Sequence, residues 1–255
     1  MIYLALLVVL PLGALTRHGL KGGLAFLWDA VSSSEAADAI VLTLWAAAAV
    51  AITNALAGAA TAWILARYRF PGKRLLGTLI DLPLAIPTLV TGIMLVVLFG
   101  PASTLGAWLE GLGLTMAFNT PVILLALAFV SFPFAVRTVE PVIAELDPAE
   151  EEAASTLGAS PMRTFREVTL PAILPAVASG GMQCFARCIA EFGSIIVVSG
   201  NIPHRTLTAP VFIYGEVESG RSDIAAAASI VLLALALVMT IGAHAAGKLS
   251  RSVDV

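Results

Sequence analysis

Few residues of this chain could do covalent chemistry, and those few stand apart. His18, His204 and His244 are isolated from one another, so nothing resembles a metal cluster. Cys184 and Cys188 lie four apart within one apolar segment and share a helix face. They read as small packing residues rather than a disulfide or a metal site. No Gly-x-x-x-x-Gly-Lys-Ser/Thr phosphate loop occurs, so any ATP consumed would be bound by another chain. What remains is one strongly polar stretch, ELDPAEEEAASTLGASPMRTFREVTLPAILP at 145–175, with Glu150, Glu151 and Glu152 in a row.

The residue types of that stretch suit docking rather than catalysis. Asp147 can cap a helix whose first residue is Pro148, with Glu150 closing a capping box. The three acids then fall near the helix N-terminus, where the backbone dipole favours negative charge. Ala153, Ala154 and Leu157 form a small apolar surface that lets a partner's backbone approach closely. Gly158 ends the helix in the left-handed conformation that other residues resist. Ser160-Pro161 starts a second short helix by the same device, and Leu170-Pro171 is expected to stop it. The prediction is a rigid helix–turn–helix knuckle.

The elements that must hold this knuckle are membrane helices. The chain is 59% hydrophobic with a mean hydropathy of +0.96, and only 12% of its 255 residues are charged. Ordinary globular chains run at roughly 45–50% apolar and about 25% charged. A helix crosses the hydrocarbon core in about 20 residues. Candidate spans are 2–16, 39–66, 75–100, 120–139, 172–199 and 224–246, giving an all-α integral membrane protein of about six transmembrane helices. The first could be taken for a signal peptide, but no basic region precedes it and Leu15-Thr16-Arg17 is a poor cleavage site, so an uncleaved span is expected.

Basic residues set the orientation. With a cytoplasmic N-terminus, Arg67, Arg69, Lys73, Arg74, Arg137, Arg163, Arg166, Lys248 and Arg251 fall inside. Arg17, Lys21, Arg205 and Arg221 fall outside, and Arg187 lies within a span. Both termini and the polar stretch are therefore expected in the cytoplasm. The whole of 1–255 reads as one transmembrane domain, with its cytoplasmic loop at about 140–172.

Glu152-Ala153-Ala154, three residues, Gly158, nine residues and Val168-Thr169-Leu170-Pro171 resemble the EAA loop of ABC-importer permeases, E-A-A-x3-G-x9-I-x-L-P, with Val for Ile. The stretches AWILARYRFPGKRLL (62–76), DLPLAIPTLVTGI (81–93), FPFAVRTVEPVIAELDPAEEEAASTLGAS (132–160) and EFGSIIVVSGN (191–201) are similar to the T-type permease of sulfate/thiosulfate importers. The related molybdate permeases share the EAA loop and the E-F-G segment. GNIPHRT (200–206) leans toward that relative, and Ala190 stands where the family has glycine. The resemblance implies a fold of the molybdate/sulfate permease type and no catalysis by this chain. It further implies that Glu152, Ala153, Ala154, Leu157, Gly158, Leu170 and Pro171 couple to an ATPase. The implied partners are two ATP-binding subunits, a second permease (paralogue or self), an extracytoplasmic oxyanion-binding protein and membrane lipid. ATP belongs to the partner, no cofactor to this chain, and no nucleic acid is implied.

Charged and helix-breaking residues within the spans are candidates for a translocation path or gate. Arg187 and Glu191 lie four apart, about 22 Å and 28 Å from the start of the fifth span at 1.5 Å per residue. Charge at that depth must face protein or water. They read as a structural i, i+4 pair or as groups lining the path. Gly193 follows in the same segment. Asp81, Pro83 and Pro87 lie near the cytoplasmic end of the third span, where the prolines should bend or interrupt the helix. Asp81 is expected to line the path or to meet the basic turn at 67–74. One arginine paired with an acid is too little to hold a dianion tightly, so selection would fall to the external binding protein. An ion-driven secondary transporter predicts inverted repeats and several intramembrane acids, and neither is seen. A membrane enzyme acting on lipid or phosphate predicts clustered His, Asp or Arg at one interface.

Overall fold

The computed structural model describes residues 2–251; the side chains at 2, 4, 5 and 242–251, with His244, Lys248 and Arg251 among them, lie outside the described set. The described backbone is helices joined by turns and loops, without strands among the described residues. In chain order the helices are α1 (Ile2–Gly19), α2 (Gly23–Ser32), α3 (Ser34–Arg67), α4 (Lys73–Ala85), α5 (Thr88–Phe99), α6 (Thr104–Gly111) and α7 (Thr120–Glu145). They continue as α8 (Pro148–Thr156), α9 (Pro161–Thr164), α10 (Leu170–Ile189), α11 (Gly193–Val198), α12 (Ala209–Glu218) and α13 (Ser222–Arg251), with a π-helical segment Phe165–Thr169 joining α9 to α10.

Among the described residues four helices are long and apolar enough to cross a membrane: α3, α7, the run Pro161–Ile189, and Ser222–Ile241 of α13. The broken pair α4/α5 makes a fifth. The predicted span 2–16 lies in α1, whose stretch Leu6–Gly19 is a shorter apolar helix. The predicted span 75–100 is interrupted as its prolines require, but only one of them breaks it. Pro83 sits buried inside α4, whereas the residue before Pro87, Ile86, is driven to extended backbone (φ −86, ψ 128) and ends the helix. The predicted span 172–199 is also two pieces, because α10 stops at Ile189 and α11 starts at Gly193.

The chain forms two compact units. The first comprises, of the described residues, 2–46, 88–126 and 189–241. There α5 and α11 pack backbone to backbone through glycine: a Cβ on Gly92 would lie 2.7 Å from Ser194 O, and one on Gly193 would overlap Thr88 Oγ1. The Ala209 N–H at the head of α12 donates to Thr43 Oγ1 of α3 (2.8 Å). The two histidines described here are not solitary. His18 meets Asp223 at 2.8 Å and His204 meets Asp38 at 2.7 Å, contacts between residues far apart in sequence.

The second unit comprises, of the described residues, 47–87, 127–188 and 242–251. Its core is Ala62, Leu65, Ile80, Val136, Val139, Ile143, Ile173 and Ala176. Small residues let the helices close up: a Cβ on Gly58 would lie 2.5 Å from that of Ala135, and one on Gly180 would lie 3.2 Å from Ala135 Cα. A buried polar cluster fixes their register. Asn54 Nδ2 donates to Ala128 O and Ser131 Oγ, both at 2.9 Å. Cys184 Sγ donates to Ser131 O (3.1 Å) and Cys188 Sγ to Ser131 Oγ (3.4 Å). Both thiols are free and buried.

The α5–α11 contact makes a direct prediction. Gly92→Val forces a side chain against the Ser194 carbonyl and should destabilise the protein by about 1–3 kcal/mol. Gly215→Ala, where a Cβ meets nothing within 4 Å, serves as control. Thermal unfolding in detergent should show a lowered midpoint for the first variant and none for the second.

Candidate functional site

The knuckle is present and is built by its caps. Asp147 Oδ1 accepts the Ala149 N–H at 2.9 Å, Pro148 takes the first helical position, and Glu150 and Glu151 occupy the first turn of α8. The capping box is only half formed. Asp147 reaches two residues on, and no bond from the Glu150 side chain back to the cap occurs among the described residues. The helix closes by a Schellman pair, Gly158 N–H to Ser155 O and Ala159 N–H to Ala154 O, each 3.0 Å. Gly158 has φ +85, and a Cβ there would touch nothing within 4 Å. Its role is therefore the backbone conformation alone. Ser160 Oγ accepts the Arg163 N–H (3.4 Å) and Pro161 opens α9.

The expected stop at Leu170-Pro171 does not occur. From Pro161 the chain runs helically to Ile189, through the π segment Phe165–Thr169. The proline ring at 171 would crowd the carbonyl four residues back in a regular α-turn. The wider π turn just before it, closed by Leu170 N–H to Phe165 O, accommodates the ring and lets the second helix of the knuckle become a membrane span. Leu170 is half-buried against the core of the second unit, and Pro171 is exposed.

No residue of α8 is buried. Glu152 and Ala153 are exposed, Ala154 is half-buried, and the apolar side chains of Leu157 and Met162 are 89% and 71% exposed. The knuckle thus turns the apolar side chains at its elbow and on α9 outward.

Glu151, which spacing did not single out, is the residue that faces inward. Its Oε1 accepts from Arg67 Nη2 (2.8 Å) at the end of α3 and from Thr169 Oγ1 (2.9 Å) in the π segment. The Arg67 guanidinium lies 5.2 Å from the Trp63 ring centre, and that ring meets Phe165 edge-on at 5.8 Å. The signal available in sequence was weak: a basic residue closing one helix, 84 positions before an acid triplet.

The translocation-path candidates lie on several elements. Asp81 is not at the basic turn. Arg137 Nε donates to its Oδ1 (2.8 Å) and Nη2 to its Oδ2 (2.6 Å), a bidentate fork between α4 and α7. The same guanidinium also donates to Glu140 (2.5 Å) and Gly77 O (3.0 Å). The planar fork explains why an arginine one helix away captures the carboxylate. Arg187 is half-buried on α10. Glu191 is buried and lies two residues beyond the end of that helix. Its Oε1 accepts the Ser194 N–H (2.8 Å) and Oγ (2.9 Å), heading α11. Gly193 stands at the start of α11 against Thr88. Among the described residues no group of three or more His, Cys, Asp or Glu could hold a metal.

Comparison with known proteins matches residues 54–252 to the family of binding-protein-dependent transport system inner membrane components. The probable sulfate transport system permease protein cysT of Nephroselmis olivacea is 38% identical over 94% of this chain and 86% of its own length. The sulfate transport system permease protein CysT of Synechococcus elongatus is 41% identical, covering 93% and 86%. That of Escherichia coli K12 is 38% identical, covering 94% and 86%. Among solved structures, a bacterial alginate ABC transporter in complex with an alginate pentasaccharide-bound periplasmic protein aligns with a TM-score of 0.81 at 20% identity, over 98% of this chain and 91% of that one. At that identity the likeness is one of fold.

The elbow is tested by its backbone. Gly158→Val places a β-branched residue in the left-handed region and should strain the turn by about 1–3 kcal/mol. Gly158→Asn, which tolerates that region, should retain it. Hydrogen exchange over 148–164 should accelerate in the first variant and stay near wild type in the second.

Proposed function

We propose that this chain, which belongs to the family of binding-protein-dependent transport system inner membrane components, is the membrane-spanning permease of an ATP-driven importer of sulfate. The observation that carries the reading is the outward-turned knuckle: a capped helix with no buried residue, exposed Leu157 and Met162, and a glycine elbow. The sulfate permeases that are 38–41% identical over nearly the whole chain support sulfate over molybdate as the cargo. The chain performs no covalent chemistry. ATP is bound by a pair of partner subunits, a second permease completes the path, and a binding protein outside the cell supplies the anion.

In mechanism, Glu152, Ala153, Ala154, Leu157 and Gly158 enter a groove of the ATP-binding subunit. Exposed apolar side chains lose contact with water there, and alanines admit close approach of backbone. Closure of the ATP-binding subunits moves the knuckle, whose second helix, α9, leads through the π segment and Leu170-Pro171 into α10. Both termini and the knuckle lie in the cytoplasm, as the basic residues indicate. Arg137, inside α7, is already committed to Asp81, Glu140 and Gly77 O. The described spans thus offer no cluster of free cationic donors to trap a dianion, and selection rests with the external binding protein. The permease has only to open, pass the ion and close.

Two measurements check this. Expressed with its partner subunits, the chain should restore growth of a strain lacking sulfate uptake; rescue of molybdate-dependent nitrate reduction alone would move the cargo to molybdate. Glu152→Lys puts a positive charge beside the helix N-terminus and into the docking face. It should weaken capture of the ATP-binding subunit by about 1 kcal/mol, roughly fivefold. Undiminished capture would mean that Glu152 faces solvent.

A further inference from the structure

Helix α8 has no buried side chain, so no packed core fastens it to the helices that cross the membrane. Between it and the end of α3 lies a cavity of about 270 Å³, bounded by Trp63, Glu151, Ser155, Ala159, Phe165 and Thr169. What spans the gap is one carboxylate oxygen. Glu151 Oε1 receives Arg67 Nη2 at 2.8 Å and Thr169 Oγ1 at 2.9 Å. Arg67 is the last residue of α3, and Thr169, 2% exposed, is the last of the π segment that leads into α10. Trp63 supports the guanidinium through its ring face, and Phe165 of the π segment supports Trp63 edge-on. Arg67 Nε is buried without an acceptor, so Glu151 is the partner that this guanidinium reaches among the described residues.

We propose that Glu151 is the positioning residue through which movement of α8, across the elbow from α9, reaches α3 and the π segment at the head of α10, a role separate from that of Glu152 beside it. Successive helical residues point about 100° apart, which turns Glu152 outward and Glu151 toward the bundle. A packed apolar contact transmits a push but yields to a pull. Two hydrogen bonds from different elements to one oxygen resist both, as a transporter that must move its helices in each half of a cycle requires. A fully exposed ion pair would hold too weakly to serve, since such pairs contribute little. This one is held half-buried, with side-chain exposures of 21% for Arg67 and 29% for Glu151, and is braced by a ring. The π segment is the natural place for the stroke to enter α10, because π turns interrupt the regular ladder and are common at functional sites.

The proposal rests on the reading that the knuckle docks an ATP-binding subunit, and its test separates the two. Hydrogen exchange is followed in the assembled complex with and without ATP, alongside sulfate uptake per ATP hydrolysed. In wild type, nucleotide should change exchange both in 148–164 and in 165–180. In Glu151→Ala the change should stay confined to 148–164, with uptake per ATP falling about tenfold, within the usual range of coupling between sites. Arg67→Ala should give the same phenotype, and the double variant should be no worse than either alone. Glu151→Gln, which keeps an acceptor for Arg67 and Thr169, should restore part of the response; a purely structural lesion would instead lower the amount of assembled complex. The proposal is overturned if 165–180 responds in Glu151→Ala as in wild type, if it fails to respond in wild type, or if Glu151→Ala loses the ATP-binding subunit itself. Absence of sulfate uptake by wild type with the exchange response intact would overturn the cargo and leave the role of Glu151 standing.

Discussion

A backbone N–H or C=O left unbonded in hydrocarbon costs several kcal/mol, and the layout of this chain follows from the few places where it interrupts a helix under that constraint. The interruption before Pro87 is forced by proline geometry at Ile86. The one after Ile189 is covered from within, because the Glu191 carboxylate takes the Ser194 N–H and hydroxyl at the head of the next helix. The π segment before Pro171 is a third departure, in which the ladder widens instead of breaking. The first two fall inside the candidate spans 75–100 and 172–199, and the third lies just before the latter.

Because lipid is as apolar as leucine, burial of apolar surface does little to hold such helices together. The second unit relies instead on close approach and on polar contacts. Gly58 and Gly180 let backbone meet Ala135, and Asn54, Ser131, Cys184 and Cys188 share a buried network. The first unit uses the same device where Gly92 and Gly193 admit α5 to α11. Large apolar side chains face outward, as Val41, Trp45, Ile52 and Leu56 do along one stripe of α3.

Charge is treated with similar economy. The fork of Arg137 on Asp81 binds α4 to α7, and the Glu151 carboxylate binds the knuckle to α3 and the π segment. With these acids turned inward, Glu152 is left to face outward beside Ala153 and Leu157. Glu151 and Glu152 thus face different ways by helical geometry, which their adjacency in sequence conceals.

Whatever depends on neighbours within a turn or two can be read along the chain. Composition required membrane helices, Asp147, Ser160 and the prolines after them placed two helix starts, and Gly158 placed the elbow at its positive φ. The EAA spacing identified the family for the same reason, since it is a local pattern. The rest depends on how the helices pack. Arg67 finds Glu151 across 84 residues and Arg137 finds Asp81 across 56, pairings set by how helices pack and not by spacing along the chain. The helix runs on through Pro171 where a local rule stops it, because a π turn absorbs the ring. Glu191 falls off the helix that carries Arg187, because α10 ends at Ile189 and the carboxylate is taken up by the next helix. Local rules reach about one turn; an ion pair between distant segments exists only once packing has brought its partners within 3 Å.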